Sequence, residues 1–189
     1  MKENEIIKIF EDCGALLSGH FMLRSGLHSE KFFQAALVLQ YPNHAKTICS
    51  DLARNLRLDI KPDAVISPAL GGLIVGHELA EALGVRAIFA EKENDNLFLR
   101  RGFSIRKGEN IVVAEDVVTK GGRSQQTIDL VRSLGGNVLC LAVIVDRSGG
   151  SASFDVPFHS LLKLNLQTWS QQDCLLCKKG VPLVKPGSK

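Results

Sequence analysis

The period of the apolar positions changes several times along the chain, and each change marks an element. Ile6, Ile7, Ile9, Phe10 and Cys13 share one helical face, with Asn4 as the expected N-cap. From 14 to 33 the helical spacing is lost, and Gly14, Gly19 and Gly26 predict turns between short strands. Helical spacing resumes from Pro42 to about Leu56, with Ala45, Ile48, Cys49, Leu52 and Leu56 facing inward. Four short apolar runs follow at 64–66, 87–90, 111–114 and 138–145, rich in Val, Ile, Leu or Ala as buried parallel strands are. Helices are expected at 73–83 and 124–134, ending at Gly84 and Gly135. This alternation predicts an α/β fold, a mainly parallel central sheet flanked by helices. Two glycine-bearing segments, 67–72 (SPALGG) and 115–122, fall between a strand and a helix, where open α/β sheets bind ligands.

Length and composition leave that picture intact and remove alternatives. The 189 residues fit one domain with a sizeable core, and 45% hydrophobic against 23% charged residues excludes a disordered chain. A net charge of +3 is too balanced to argue for nucleic acid as partner. No apolar run approaches the length of a membrane span, and the charged N-terminus does not read as a signal peptide. Five cysteines, at 13, 49, 140, 174 and 177, lack a disulfide-scaffold spacing, so a reducing cytoplasm is expected.

The clearest chemistry lies at 111–124 (IVVAEDVVTKGGRS). An apolar strand runs into Glu115 and Asp116, followed by Val117, Val118, Thr119, Lys120, Gly121, Gly122 and Arg123 and then a helix. Successive backbone N–H groups from Thr119 to Ser124, unobstructed at the glycines, can wrap phosphate oxygens at a helix N-terminus. The Thr119 hydroxyl adds a donor, and the carboxylates can accept from ribose hydroxyls or hold water on a divalent metal. Neither the Walker spacing nor the dinucleotide fingerprint is present. Alone, the acidic dyad reads as a solvated strand end and Gly-Gly as a tight turn. Strand, dyad, threonine, glycines and helix together point to a ribose phosphate.

This segment resembles the phosphoribosyl-diphosphate (PRPP) loop of type I phosphoribosyltransferases. The resemblance implies that Glu115, Asp116, Val117, Val118, Thr119, Lys120, Gly121, Gly122 and Arg123 bind PRPP, with the paired acids on the ribose hydroxyls. Lys120 and Arg123 stand where small or hydroxyl residues are more usual, and both add positive charge near a phosphate. Residues 21–34 (FMLRSGLHSEKFFQ) resemble the hood of the orotate branch at Phe21, Leu23, Arg24, Ser25, Gly26, Ser29, Phe32 and Phe33. Asp146 and Arg147 follow the 138–145 strand as that branch's Asp-Arg does, and the likeness extends to 180–188 (GVPLVKPGS).

The family fold so implied is a core of roughly 42–170 with a small hood at 14–34, a mobile lid loop and a tail to 189. Its implied activity is Mg²⁺-dependent transfer of the phosphoribosyl group from PRPP to orotate, giving orotidine 5′-monophosphate and diphosphate in pyrimidine synthesis. Arg24 and Lys92 would then contact PRPP, and Phe32 or Phe33, Thr119 and Arg147 would contact orotate. Lys92 and Asp116 would be catalytic, and the Mg²⁺ would be held through PRPP and water rather than directly by side chains. A homodimer is implied as well, with neither nucleic acid nor membrane as partner. An orotate carboxylate suits one Arg anchor, and its planar ring suits an aromatic contact. For one of the two phenylalanines the plain alternative is a place in the core; for Arg147 it is a surface ion pair.

Three features leave alternatives open. Segment 91–102 (EKENDNLFLRRG) reads equally as a solvated hairpin or as a lid whose Lys92, Arg100 and Arg101 reach the leaving group. In 67–72, Leu70 and Gly71 replace the basic residue common in relatives, so diphosphate would rest on backbone N–H groups and the lid. Cys174 and Cys177 form an isolated Cys-x-x-Cys, with His159 the nearest other soft ligand, and are read as no metal site. The rival functions are a purine phosphoribosyltransferase and a PRPP-sensing regulator without catalysis.

Overall fold

Ile6 and Phe10 lie one turn apart on helix α1 (Glu3–Asp12) and are buried together. The computed structural model describes residues 1–23 and 25–186. The helix starts earlier than the sequence suggests. Lys2 is its N-cap, and the Lys2 backbone N–H donates to Glu5 Oε2 at 2.8 Å, so Asn4 sits inside the first turn. Strands β1 (Leu16–Met22) and β2 (His28–Phe33) follow, then the short helix α2 (Ala36–Leu39). Helix α3 (Pro42–Asn55) leads into β3 (Ala64–Pro68), α4 (Leu73–Leu83), β4 (Arg86–Glu93) and β5 (Asn96–Leu99). Then come β6 (Asn110–Val118), α5 (Gly122–Ser133), β7 (Asn137–Asp146), β8 (Phe158–Lys163), β9 (Thr168–Trp169) and α6 (Leu175–Lys178).

The chain forms two units, one of Tyr41–Leu164 and one of Met1–Gln40 with the segment from Asn165 onward. In the larger, six strands run in the order β5-β4-β3-β6-β7-β8. Only the β4–β5 pair is antiparallel; β3, β4, β6, β7 and β8 are parallel to their neighbours. The four apolar runs of the sequence are therefore the four central strands. Their continuous Val, Ile, Leu and Ala content fits strands covered on both faces. Ile66, Ile88, Ile111, Val113, Leu141 and Val143 meet Ile128 and Val131 of α5 in one buried cluster. Gly76 lets α4 approach β3 closely, since a Cβ there would lie 2.4 Å from Ser67 Oγ.

One strand of this unit was not expected, and one segment with two readings takes a defined form. Strand β8 is half-buried along most of its length, and its sequence FHSLLK carries no clean alternation. Strands β4 and β5 make residues 91–99 a hairpin, the first of the two readings of this segment: Glu91 pairs with Phe98, Lys92 with Leu97 and Glu93 with Asn96. Its turn residues Asn94 and Asp95 have φ of 46° and 66°, which suits the twist of a two-residue hairpin turn.

The smaller unit is a three-stranded sheet, β1-β2-β9, with α1 against it. The β1–β2 register shifts by one residue between Ser18 and Phe21. This bulge turns two consecutive residues, His20 and Phe21, into the interior. Phe33 is buried and packs on Phe10 at 5.1 Å between ring centroids, while Phe32 is half-buried beside Phe21 at 5.9 Å. Of the two phenylalanines, Phe33 therefore belongs to the core. The expected PRPP contact Arg24 lies outside the described residues.

Candidate active site

Two strand-to-helix loops of the parallel sheet come together at the C-terminal ends of adjacent strands β3 and β6. In the first, Pro68 ends β3 and α4 begins at Leu73, with a cis peptide at Ala69–Leu70 and Leu70 exposed. In the second, β6 carries Glu115, Asp116, Val117 and Val118 to its end, and α5 begins at Gly122. A Cβ on Gly71 would lie 3.1 Å from Asp116 Oδ1, and one on Gly72 would lie 3.1 Å from Glu115 Oε1. The glycines of the first loop thus make room for the carboxylates of the second.

Glu115 is buried and Asp116 half-buried, and that governs the charge of the dyad. Burial and the neighbouring Asp116 carboxylate push the Glu115 carboxyl up to about 9, and burial also raises Asp116. Hydrogen bonding between the two side chains favours the proton on Glu115, with Asp116 as the acceptor. Asp116 Oδ1 also accepts from the Val117 N–H at 2.8 Å, which fixes its orientation. In the free protein the pair therefore shares a proton near neutral pH. A ligand presenting hydroxyl donors would release that proton and recover the second charge.

Beyond the dyad the backbone turns sharply at Gly121, the N-cap of α5, with φ of 78°. A side chain there is barred twice, by that left-handed conformation and by the Phe154 ring 2.7 Å from a built Cβ. The first turn-closing bond of α5 runs from Gln125 N–H to Gly121 O at 2.9 Å. The N–H groups before it at the helix start lie outside the helical ladder, and the helix dipole favours an anion there. Ser124 is buried, whereas Thr119 and Lys120 are exposed.

Arg147 joins this loop through the sheet. Val118 and Asp146 are register partners on β6 and β7, and the Arg147 backbone N–H donates to Val118 O at 2.8 Å. That places Arg147 beside Thr119. Asp146 is occupied locally, its Oδ1 accepting from the Ser148 N–H at 2.8 Å. The surface ion pair considered for Arg147 does not form among the described residues; its Nε is buried without a hydrogen-bond partner. Arg123 Nη1 is in the same state. Two guanidinium donors thus stand buried and unmet around the loop, a costly condition unless an anion satisfies them.

The hairpin cations are differently placed. Lys92 pairs with Asp95, Arg100 with Glu93, and Arg101 Nε with Glu91 Oε1 at 2.7 Å. The hairpin turn lies against α5, where Gln126 Nε2 donates to Asp95 O at 3.1 Å. Its tip is close enough to Arg123 for the Asp95 charge to feel it. Every cation proposed for the leaving group is here matched to a carboxylate of its own hairpin.

Comparison with known proteins fits this geometry. The family model of the phosphoribosyl transferase domain matches residues 38–172. The orotate phosphoribosyltransferase of Carboxydothermus hydrogenoformans is 50% identical over 186 residues, covering 98% of this chain and 97% of that one. The chain belongs to the orotate phosphoribosyltransferase family. A crystal structure of the orotate phosphoribosyltransferase from Aeropyrum pernix superposes with a TM-score of 0.70 at 26% identity, covering 93% of this chain and 98% of that one. The adenine phosphoribosyltransferase of Thermoanaerobacter pseudethanolicus has the same fold, with a TM-score of 0.61 at 22% identity over 71% of this chain and 88% of that one. Fold alone therefore does not choose the base. No helix among the described residues is long and apolar enough to cross a membrane.

Proposed function

We propose that this protein transfers the 5-phosphoribosyl group of PRPP to orotate, giving orotidine 5′-monophosphate and diphosphate, as a Mg²⁺-dependent cytoplasmic homodimer. The observation that carries the choice of base is Arg147: a half-buried side chain whose Nε is buried and unmet among the described residues, beside Thr119 and the loop after β6. A carboxylate on a planar ring would satisfy it, and adenine offers none. Family membership and the resemblance of residues 21–34 to the orotate hood point the same way, and they supply Phe32 for the base and Arg24 for PRPP.

In this reading the N–H groups around Thr119–Gly122, with Lys120 and Arg123, bind the 5-phosphate. Glu115 and Asp116 accept from the ribose hydroxyls. Their hard carboxylate oxygens would suit Mg²⁺ brought in with PRPP. Mg²⁺, when bound, neutralises charge on the diphosphate. A ring nitrogen of orotate attacks the anomeric carbon as the bond to diphosphate oxygen breaks; the electron pair leaves with the diphosphate, and the nitrogen's proton passes to the diphosphate or to water. Asp116 holds the ribose while positive charge develops on it, an electrostatic role that needs no covalent nucleophile. Lys92 is the cation proposed to meet the departing diphosphate, on release from Asp95.

The test is a base-consumption assay with PRPP and Mg²⁺, offering orotate, adenine, hypoxanthine and uracil in turn. Orotate alone should be consumed. Turnover of a purine would transfer the reading to the purine branch, and turnover of no base would favour a sensor.

A further inference from the structure

Outside the candidate active site, the smaller unit brings together four soft ligands from two distant parts of the chain. His20 stands on β1, His28 begins β2, Cys174 precedes α6 and Cys177 lies within it. One ligand atom from each lies within 4.8 Å of all the others. His20 Nε2 is 3.0 Å from His28 Nδ1, 3.4 Å from Cys174 Sγ and 3.7 Å from Cys177 Sγ, and Cys177 Sγ is 3.3 Å from His28 Nδ1. A tetrahedron with the bond lengths usual for zinc has edges of about 3.3–3.8 Å, the range these separations approach. His20, His28 and Cys174 are buried and Cys177 partly so.

We propose that His20, His28, Cys174 and Cys177 bind one structural Zn²⁺ that joins the β1–β2 hairpin to the C-terminal segment. The orientation of His20 supports it. Its Nδ1 lies 2.8 Å from Val181 O, an atom that can only accept, so the proton sits on Nδ1 and the Nε2 lone pair faces the thiols. A backbone carbonyl fixing the ring in this way is the usual outer-shell partner of a zinc histidine. The β-bulge after Ser18 is the local device that turns His20 inward beside Phe21. Four protein ligands leave no open position, so the site is structural and takes no part in transfer chemistry.

The unit has reason to need such a staple. Strand β9 is two residues long, and the segment from Asn165 onward rejoins β1 and β2 from the far side of the sequence. A metal bound only in the folded state adds its binding free energy to that docking. Sequence reading set Cys174 and Cys177 aside because it sought the missing ligands nearby, at His159. That histidine lies on β8 in the other unit, and the actual partners are some 150 positions away, Cys174 being separated from His20 by 154.

The experiment is metal analysis of the full-length protein purified under reducing conditions and dialysed against a mild chelator. About one zinc per chain is expected, falling at least tenfold in Cys177→Ser and His28→Gln while His159→Gln retains it. Because ligand variants can unfold, Co²⁺ exchange into the wild-type protein supplies a second readout. Tetrahedral Co²⁺ with two thiolates should give visible d–d bands and sulfur charge-transfer absorption. It should also quench the single tryptophan, Trp169, the register partner of His28. Substoichiometric zinc without the tetrahedral Co²⁺ spectrum would overturn the proposal. So would a Cys174–Cys177 disulfide in protein alkylated on lysis, or full zinc retention by Cys177→Ser.

Discussion

The loop after β6 and the 91–102 hairpin are both rich in charge, and they treat it in opposite ways. Around the loop, Glu115, Asp116, Arg123 and Arg147 are buried or half-buried, and two guanidinium nitrogens have no partner among the described residues. On the hairpin, Glu91, Glu93 and Asp95 pair with Arg101, Arg100 and Lys92 in solvent. Buried unmet charge destabilises the free protein and is recovered when a ligand arrives. Exposed matched charge costs little and waits for nothing. Under the proposed function, the comparison separates a preorganised binding surface from a segment that must exchange partners before it can act.

Breaking the loop should have the largest effect. Asp116→Asn keeps the shape but removes the carboxylate proposed to face the charged transition state. Its kcat should fall by about 10²–10³ with any accepted base. Relieved of its neighbour's charge, Glu115 should ionise more easily, so the melting temperature should hold or rise. Unchanged kcat, or a collapse in stability, would make the dyad a folding element and remove the distinction. Arg147→Met should act more narrowly. Losing one charge-assisted contact costs about 1.5–3 kcal/mol, so kcat/KM for orotate should fall by about 10–150-fold. The Kd for PRPP, measured without orotate, should stay close to wild type. An equal loss in both would place Arg147 on the donor instead.

The loop's burial also predicts a pH signature. Glu115 has its folded value raised to about 9 from an ordinary value of 4.5. Between those limits the native state holds a proton that the unfolded state has released, so stability falls as pH rises. This contribution is complete below about pH 4.5 and lost as pH passes through about 9. The melting temperature of ligand-free protein should decline across that window, and Glu115→Gln should flatten the decline. Equal slopes in the two proteins would show that the carboxyl is already ionised.

What could be read from sequence follows from how local each feature is. The strand-to-helix turn at 111–124 was legible because strand, dyad, Gly121 and helix start are contiguous along the chain. The central strands β3, β4, β6 and β7 were legible because burial on both faces leaves an unbroken apolar run. Arg147 was tied to Thr119 only by family resemblance; the physical reason, pairing of Val118 with Asp146, needs the sheet register. Strand β8 was missed because a half-buried edge strand has no sharp period. The four-ligand cluster was missed because spacing rules search along the chain, and β1, β2 and α6 meet only in space. Phe32 and Phe33 could not be divided until packing assigned Phe33 to Phe10.

The smallest effect tests the other half of the comparison. Glu93 and Arg100 are each about half exposed, at 51% and 48%, so their pair is screened by water. Glu93→Gln should move the melting temperature by no more than about 2 °C. If the hairpin cations act only after leaving their carboxylates, freeing Arg100 should leave kcat unchanged or raise it slightly. Lys92→Ala would then remain the costly change on this segment, lowering kcat by roughly tenfold with stability intact. The informative failure is a large loss of kcat in Glu93→Gln. It would mean that the carboxylate holds Arg100 where the diphosphate meets it, making the exposed pairs of the hairpin as preorganised as the buried charges of the loop.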